Sequence, residues 1–185
     1  MHVIAVTGMP GAGKELAAEL AQRRGWPVLS MGELVRAETR RRGLPADPQH
    51  VAETATALRK ERGPGAWAEL LLPLLEEQAA GGARTVLVDG VRNVAEVEVL
   101  RRALGGEFVL VGIAAEAAIR HERLIGRGRS DDVPAKAWLE ERDRRELGYG
   151  LGEVLATADH TLRNESTKAA FREALERLLD EIGGA

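Results

Sequence analysis

The chain begins with a short apolar run, His2 to Thr7, rich in β-branched residues and closed by Gly8. A run of that length without polar alternation predicts a strand buried on both faces of a parallel sheet. From Gly13 to Arg24 the apolar positions shift to helical spacing, with Leu16, Ala17, Leu20 and Ala21 on one face. The exchange then repeats. Pro27 to Ser30 reads as a second strand, and Gly32 to Arg42 as a helix stopped by Gly43. Thr85 to Asp89 reads as a third strand, followed by a helix carrying Val94, Val97, Leu100 and Leu104. Phe108 to Ala114 is a fourth strand and His160 to Leu162 a weak fifth. The last helix places Phe171, Ala174, Leu175, Leu178, Leu179 and Ile182 on one stripe, with Ser166 as the expected N-cap and Gly183 beyond its end. Strands alternating with helices predict an α/β fold: a parallel five-stranded sheet with helices on both faces.

Two stretches interrupt the alternation. Residues 44–83 read as two successive helices. Asp47-Pro48 supplies a start, Asp as N-cap and Pro at the first helical position. Val51, Ala55 and Leu58 form one stripe; Trp67, Leu70, Leu71, Leu74 and Leu75 form another, with Pro73 expected to kink it. Residues 127–154 are rich in charge and glycine and carry one helical piece, Pro134 to Leu147. The expected organisation is one domain, 1–185. Its core is 1–43, 84–126 and 155–185, with a helical insert at 44–83 and a short lid at 127–154.

Composition narrows the function classes. The 185 residues carry a net charge of −3, with no Cys and only 3% aromatic residues. Basic residues are mixed with acidic ones, so a broad cationic face for nucleic acid is not expected. Without Cys, disulfides, thiolate metal sites and Cys nucleophiles are excluded. No apolar run approaches the ~20 residues of a membrane span, and no secretory segment is visible. The expectation is a cytoplasmic monomer or homodimer that engages neither nucleic acid nor membrane.

Chemistry concentrates in residues 8–15, GMPGAGKE. Seven of these eight positions fit G-x-x-x-x-G-K-[ST], and the motif sits between a predicted strand and a predicted helix, as a phosphate-binding loop must. Gly8, Gly11 and Gly13 allow a tight turn whose N–H groups face inward, and Lys14 extends toward β- and γ-phosphates. Pro10, Ala12, Glu15 and Leu16 complete the expected nucleotide contact. Glu15 stands where a magnesium-holding hydroxyl is usual. As a carboxylate it can serve that hard ion itself or through water. Asp89, at the end of the third strand, is the second candidate for Mg²⁺. The fold expectation is thus a P-loop NTPase with ATP and Mg²⁺ as cofactors.

Several arginines then group around the predicted crevice. Arg36 follows the second strand, Arg92 lies three residues beyond Asp89, and Arg59 sits on the first insert helix. Guanidinium forks suit phosphate, and these three are candidates for a phosphorylated acceptor. In HERLIGRGRSDD, Arg123, Arg127 and Arg129 alternate with Gly126 and Gly128, as in a lid that swings cations over transferring phosphates. Of Arg142, Arg144 and Arg145, helical spacing lets one or two reach a ligand, with Arg142 favoured.

These motifs resemble those of adenylate kinases. GMPGAGK is similar to their phosphate loop, SMGELVRAE to their acceptor segment, DGVR to a shortened Asp-Gly-Phe-Pro-Arg, ERLIGR to the lid entrance and RSDD to its exit. The resemblance implies acceptor-phosphate roles for Arg36 and Arg92, a place along the ATP base for Arg123, and phosphate roles for Arg127 and Arg129. The chain as a whole looks closest to an archaeal family of adenylate-kinase-related P-loop ATPases reading GMPGxGK, DGxR, GRSDD and ERDRRELGxG. It departs from adenylate kinases in three ways. Glu15-Leu16 replaces Gly-Thr, Met31 replaces a Thr near the acceptor base, and the lid is short and lacks Cys. The expected activity is transfer of the γ-phosphoryl of ATP to a small phosphorylated acceptor such as a nucleoside monophosphate, with Lys14, Arg127, Arg129 and Asp89 as catalytic residues. Two alternatives stay open: a dephospho-coenzyme A type kinase acting on a hydroxyl, and an ATPase switch without acceptor.

Overall fold

The computed structural model describes residues 1–127 and 136–184; the side chains of Arg127, Lys136 and Trp138 are also outside the description. Five strands form one all-parallel sheet: β1 His2–Thr7, β2 Val28–Ser30, β3 Thr85–Asp89, β4 Phe108–Ala114 and β5 His160–Arg163. Their order is β2-β3-β1-β4-β5. The sheet is sealed on both faces because β1 carries apolar side chains at each position from Val3 to Val6. Val3 and Ala5 join one buried cluster, while Ile4 and Val6 join the other. The second cluster is closed by α1 (Lys14–Arg23) and the last helix, α9 (Lys168–Ile182). The first is closed by α2 (Met31–Arg41), α3 (Pro48–Arg62), α4 (Ala66–Ala80) and α5 (Val94–Leu104).

The insert at 44–83 folds as two helices. Asp47 accepts from the His50 amide at 3.0 Å, so the cap and the proline at N1 act together. Trp67 is 1% exposed, and its indole N–H reaches Ala55 O at 3.2 Å, which fixes α4 against α3.

Two local readings are corrected. The cap of α9 is Thr167 rather than Ser166; its hydroxyl accepts from the Ala170 amide at 3.2 Å. HERLIGR, which leads into the second interruption, lies in α6 (Ala117–Arg127). After α7 (Lys136–Gly148) a further short helix, α8 (Leu151–Ala156), packs Val154 into the main core. The lid boundary drawn at 154 therefore cuts through a core element. Charge and glycine in the preceding residues masked its two buried positions, Leu151 and Val154. No helix among the described residues is long and apolar enough to cross a membrane.

Candidate functional site

Central strand β1 has β3 on one side and β4 on the other. Successive crossovers leave from opposite sides of β1, and a crevice opens at the carboxyl ends of the strands. Thr7 ends β1 and donates its buried hydroxyl to Val91 O at 2.7 Å. That bond ties the start of the loop to the segment after β3, so Gly8 and Asp89 are placed by one another.

The loop is held from outside by two buried side chains that sequence reasoning missed. Arg120, on α6, donates to Pro10 O at 3.0 Å. Asn164, just beyond β5, donates to Ala12 O at 2.8 Å. A trans peptide points its C=O and the next N–H in opposite directions. Pinning these two carbonyls outward turns the Gly11 and Gly13 amides inward, toward an anion. Both glycines sit at positive φ, +79° and +106°. A Cβ at Gly11 would lie 2.6 Å from Arg120 O, and one at Gly13 would lie 2.4 Å from Asn164 Nδ2. Only glycine lets the clamps come this close. Ala12 itself turns its methyl into the core and is fully buried. The signal for Asn164 in the sequence was its place immediately after the fifth strand, where a side chain falls beside the phosphate loop in this topology.

Lys14 Nζ donates to Gly8 O at 2.6 Å and more weakly to Met9 O at 3.4 Å, folding back across the loop. Burial lowers its pKa to about 8, against the opposing pull of Asp89. Asp89 is pushed up by burial, with Lys14 and Arg92 pulling it down. Its Oδ1 is buried and has no hydrogen-bond partner. A buried carboxylate oxygen left unpaired is costly and fits a site for a cation or a hydroxyl proton. Around these groups lies a cavity of about 320 Å³, lined by the loop, Glu15, Arg36, Asp89, Arg92, Arg123, Arg142 and Glu146.

A second cavity of about 420 Å³ adjoins it and shares Arg36, Arg92, Arg142 and Glu146. Its walls come from α2, α3, α4 and the end of α7. Arg36 is held by Glu33 at 2.7 Å on the solvent side. Arg92 is held by the buried Glu146 at 3.1 Å. Arg59 lies in the wall of this second cavity only, paired with fully buried Glu96 at 2.9 Å and stacked 5.0 Å from the Tyr149 ring. The other oxygen of Glu96 accepts from the backbone amides of Arg92 and Asn93 at 2.9 and 3.2 Å. Arg59 is thus tied into the turn that carries Arg92.

A third cavity of about 430 Å³ runs between α1 and α9, lined by Glu15, Leu16, Arg123, Asn164 and Phe171 among others. Arg123 borders both it and the loop cavity, and donates to Asn164 Oδ1 at 3.2 Å. Arg120 also makes a bidentate pair with Asp143 on α7, at 2.9 and 2.6 Å, and joins the loop to the helix that bears Arg142 and Glu146. Of the sequence-predicted site residues, Gly8, Pro10, Gly11, Gly13, Lys14, Glu15, Arg36, Asp89, Arg92 and Arg123 meet at the loop cavity. Leu16 lines the third cavity, Arg59 the second, and Ala12 contributes backbone alone. Arg127 ends α6 with its side chain outside the described residues, as Arg129 is entirely. Among the described residues there is no cluster of three or more acidic or histidine side chains able to hold a metal, so Glu15 and Asp89 would hold Mg²⁺ only with oxygens from substrate and water.

Comparison with known proteins agrees with this fold. Residues 7–137 match the family model described as an AAA domain. A UPF0200 protein of Methanosarcina barkeri is 40% identical over 179 residues, covering 97% of this chain and 95% of that one. One of Pyrococcus horikoshii is 39% identical over 183 residues, covering 97% of each, and one of Halobacterium salinarum is 43% identical over 180 residues, covering 97% and 93%. Among solved structures, a shikimate kinase from Bacteroides thetaiotaomicron superposes with a TM-score of 0.61 at 18% identity over 99% of both chains. TT1252 from Thermus thermophilus superposes at 0.67 and 21%, over 99% and 98%. At such identities the likeness is one of fold, that of P-loop kinases. Loop, sheet order and relatives at about 40% identity together place the chain in the UPF0200 family of P-loop kinase-like proteins, whose matched relatives are archaeal.

Proposed function

We propose that this protein is an ATP-dependent phosphotransferase that moves the γ-phosphoryl group to a small phosphorylated acceptor. The observation that carries the reading is the pair of adjoining cavities: one wraps the phosphate loop, the next is walled by helices, and they share Arg36, Arg92 and Arg142. A phosphate acceptor is already a nucleophile. What it needs is cations that offset the repulsion of two anions brought into line. Lys14 and the inward amides of the loop bind the donor's phosphates, while Arg36 and Arg92 hold the acceptor's. Arg127 and Arg129, which follow Arg123 in the sequence, are proposed to act on the transferred group. Arg123, held by Asn164, orients the nucleoside end of ATP along the third cavity. Glu15 and Asp89 would hold Mg²⁺, which when bound would supply charge neutralisation at the donor phosphates. The family resemblance makes nucleoside monophosphates the first acceptors to assay.

One observation favours a second reading. Asp89 has a buried, unpartnered oxygen and a pKa raised by burial, the properties of a base that takes a proton from a hydroxyl. That would suit an acceptor of the dephospho-coenzyme A type. The test is ADP release with a panel of nucleoside monophosphates, other phosphomonoesters and dephospho-coenzyme A. Turnover with a phosphomonoester supports the first reading, and turnover with a hydroxyl alone supports the second. Release that no acceptor stimulates overturns both and leaves an ATPase switch.

A further inference from the structure

The second cavity is sharply two-sided, and its two sides ask for different chemistry. The side shared with the loop cavity is cationic on balance: Arg36, Arg92 and Arg142, with Glu146 paired to Arg92. The far side is hydrocarbon. Met31 and Val35 come from α2; Val51, Ala52 and Ala55 come from α3; Ala46 and Pro48 lie just before and at its start.

Two polar groups on that far side are already engaged, while the buried Arg59 Nε is without a hydrogen-bond partner. The Trp67 indole N–H is donated to Ala55 O. Arg59 is neutralised by Glu96 and covered by Tyr149. Among the described residues, the lining holds no amide or aliphatic hydroxyl side chain. Reading a nucleobase edge needs directional donors and acceptors that are left unpaired when the wrong base enters. The hydrocarbon wall instead rewards removal of apolar surface from water.

We propose that the acceptor is a phosphomonoester with a hydrocarbon body, alkyl, alkenyl or aryl, bound with its phosphate on Arg36 and Arg92 and its body against α2 and α3. This rests on the reading of a phosphorylated acceptor and departs from a nucleoside body. In the reaction an acceptor phosphate oxygen forms a bond to the γ-phosphorus of ATP. The bond from that phosphorus to the β,γ-bridging oxygen breaks with its electron pair leaving on ADP. Any proton on the attacking oxygen goes to solvent, and the product is the diphosphate ester. Charge complementarity fixes the head, and burial of the body decides among acceptors.

The experiment measures ADP and diphosphate-ester formation by the full chain with ethyl, butyl, hexyl and phenyl phosphate, against the four ribonucleoside monophosphates. The expected result is kcat/KM rising about two- to fourfold per added methylene until the cavity is full. Ala52→Phe, on a half-buried face of α3, then shortens the longest chain accepted and leaves the KM for ATP unchanged. Turnover of one nucleoside monophosphate with idle alkyl phosphates overturns the hydrocarbon body and spares the kinase reading. Alkyl phosphates whose kcat/KM is independent of chain length and of Ala52→Phe also overturn it. ADP release unaffected by every compound takes down both.

Discussion

Around the phosphate loop, the ligand-facing surface is largely backbone, set by three glycines and held from behind by Arg120 and Asn164. Across Arg36 and Arg92, the neighbouring cavity is lined by side chains from helices far apart in sequence. The two differ in what can change without loss. Amides whose direction is fixed by buried clamps bind phosphate whatever is attached to it, and any Cβ at Gly11 or Gly13 would strike the clamp. A wall of Met, Val and Ala can be reshaped one methyl at a time, and acceptors would change with it. On the proposed reading, the loop would supply the reaction's constant part and the helical cavity its variable part.

The comparison can be broken most severely at Lys14. Lys14→Ala should lower kcat/KM by on the order of 10³-fold, because one charge-assisted donor on a transferring group is removed; steady-state kinetics with either substrate varied checks it. On the acceptor side, Arg36→Gln should raise the acceptor KM by on the order of 10²-fold and leave ATP affinity within about twofold. Arg36 is the cleaner choice, since its loss strands only the exposed Glu33, whereas loss of Arg92 would strand buried Glu146. An equal effect on ATP would mean that the two cavities are one site.

Asn164→Asp keeps the acceptor for Arg123 but removes the donor to Ala12 O. We expect the KM for ATP to rise about tenfold, in line with about 1–3 kcal/mol for a buried carbonyl left unpaired, with the acceptor KM unmoved. Next in size is a pH effect. Lys14 must be charged to hold phosphates, and its pKa in the free protein is about 8. Its charged form is complete below that value and drains above it, so the KM for ATP should climb above pH 8, approaching about tenfold per unit. Lys14→Ala should lack this limb. The smallest change is expected at Glu15. Glu15→Ser should shift the Mg²⁺ concentration for half-maximal activity a few-fold with ATP binding retained at saturating Mg²⁺; an unchanged Mg²⁺ titration would remove Glu15 from the metal site.

How much was legible depended on range along the chain. The sheet, the loop and the Asp47-Pro48 start are local signals, each carried within a few consecutive residues. Arg120 escaped notice because it sits among charged residues in HERLIGR's own helix, and nothing nearby says that one face of that helix is buried beneath Pro10. It is 4% exposed, while its neighbour Ile125 is 51% exposed. Arg59 was read as a candidate for a phosphorylated acceptor, but its partner Glu96 is 37 residues away and fully buried, and only packing brings them together.

By itself the sequence determined that this chain folds as alternating strands and helices with a phosphate loop at the end of the first strand. The reason is that strand burial, helix periodicity and glycine turns are decided within a few residues. Tertiary structure alone decided which carbonyls of that loop are pinned, which arginines are spent on glutamates and which side chains wall the second cavity. Those are contacts between elements separated by tens of residues, and no local pattern encodes a contact whose two halves are written so far apart.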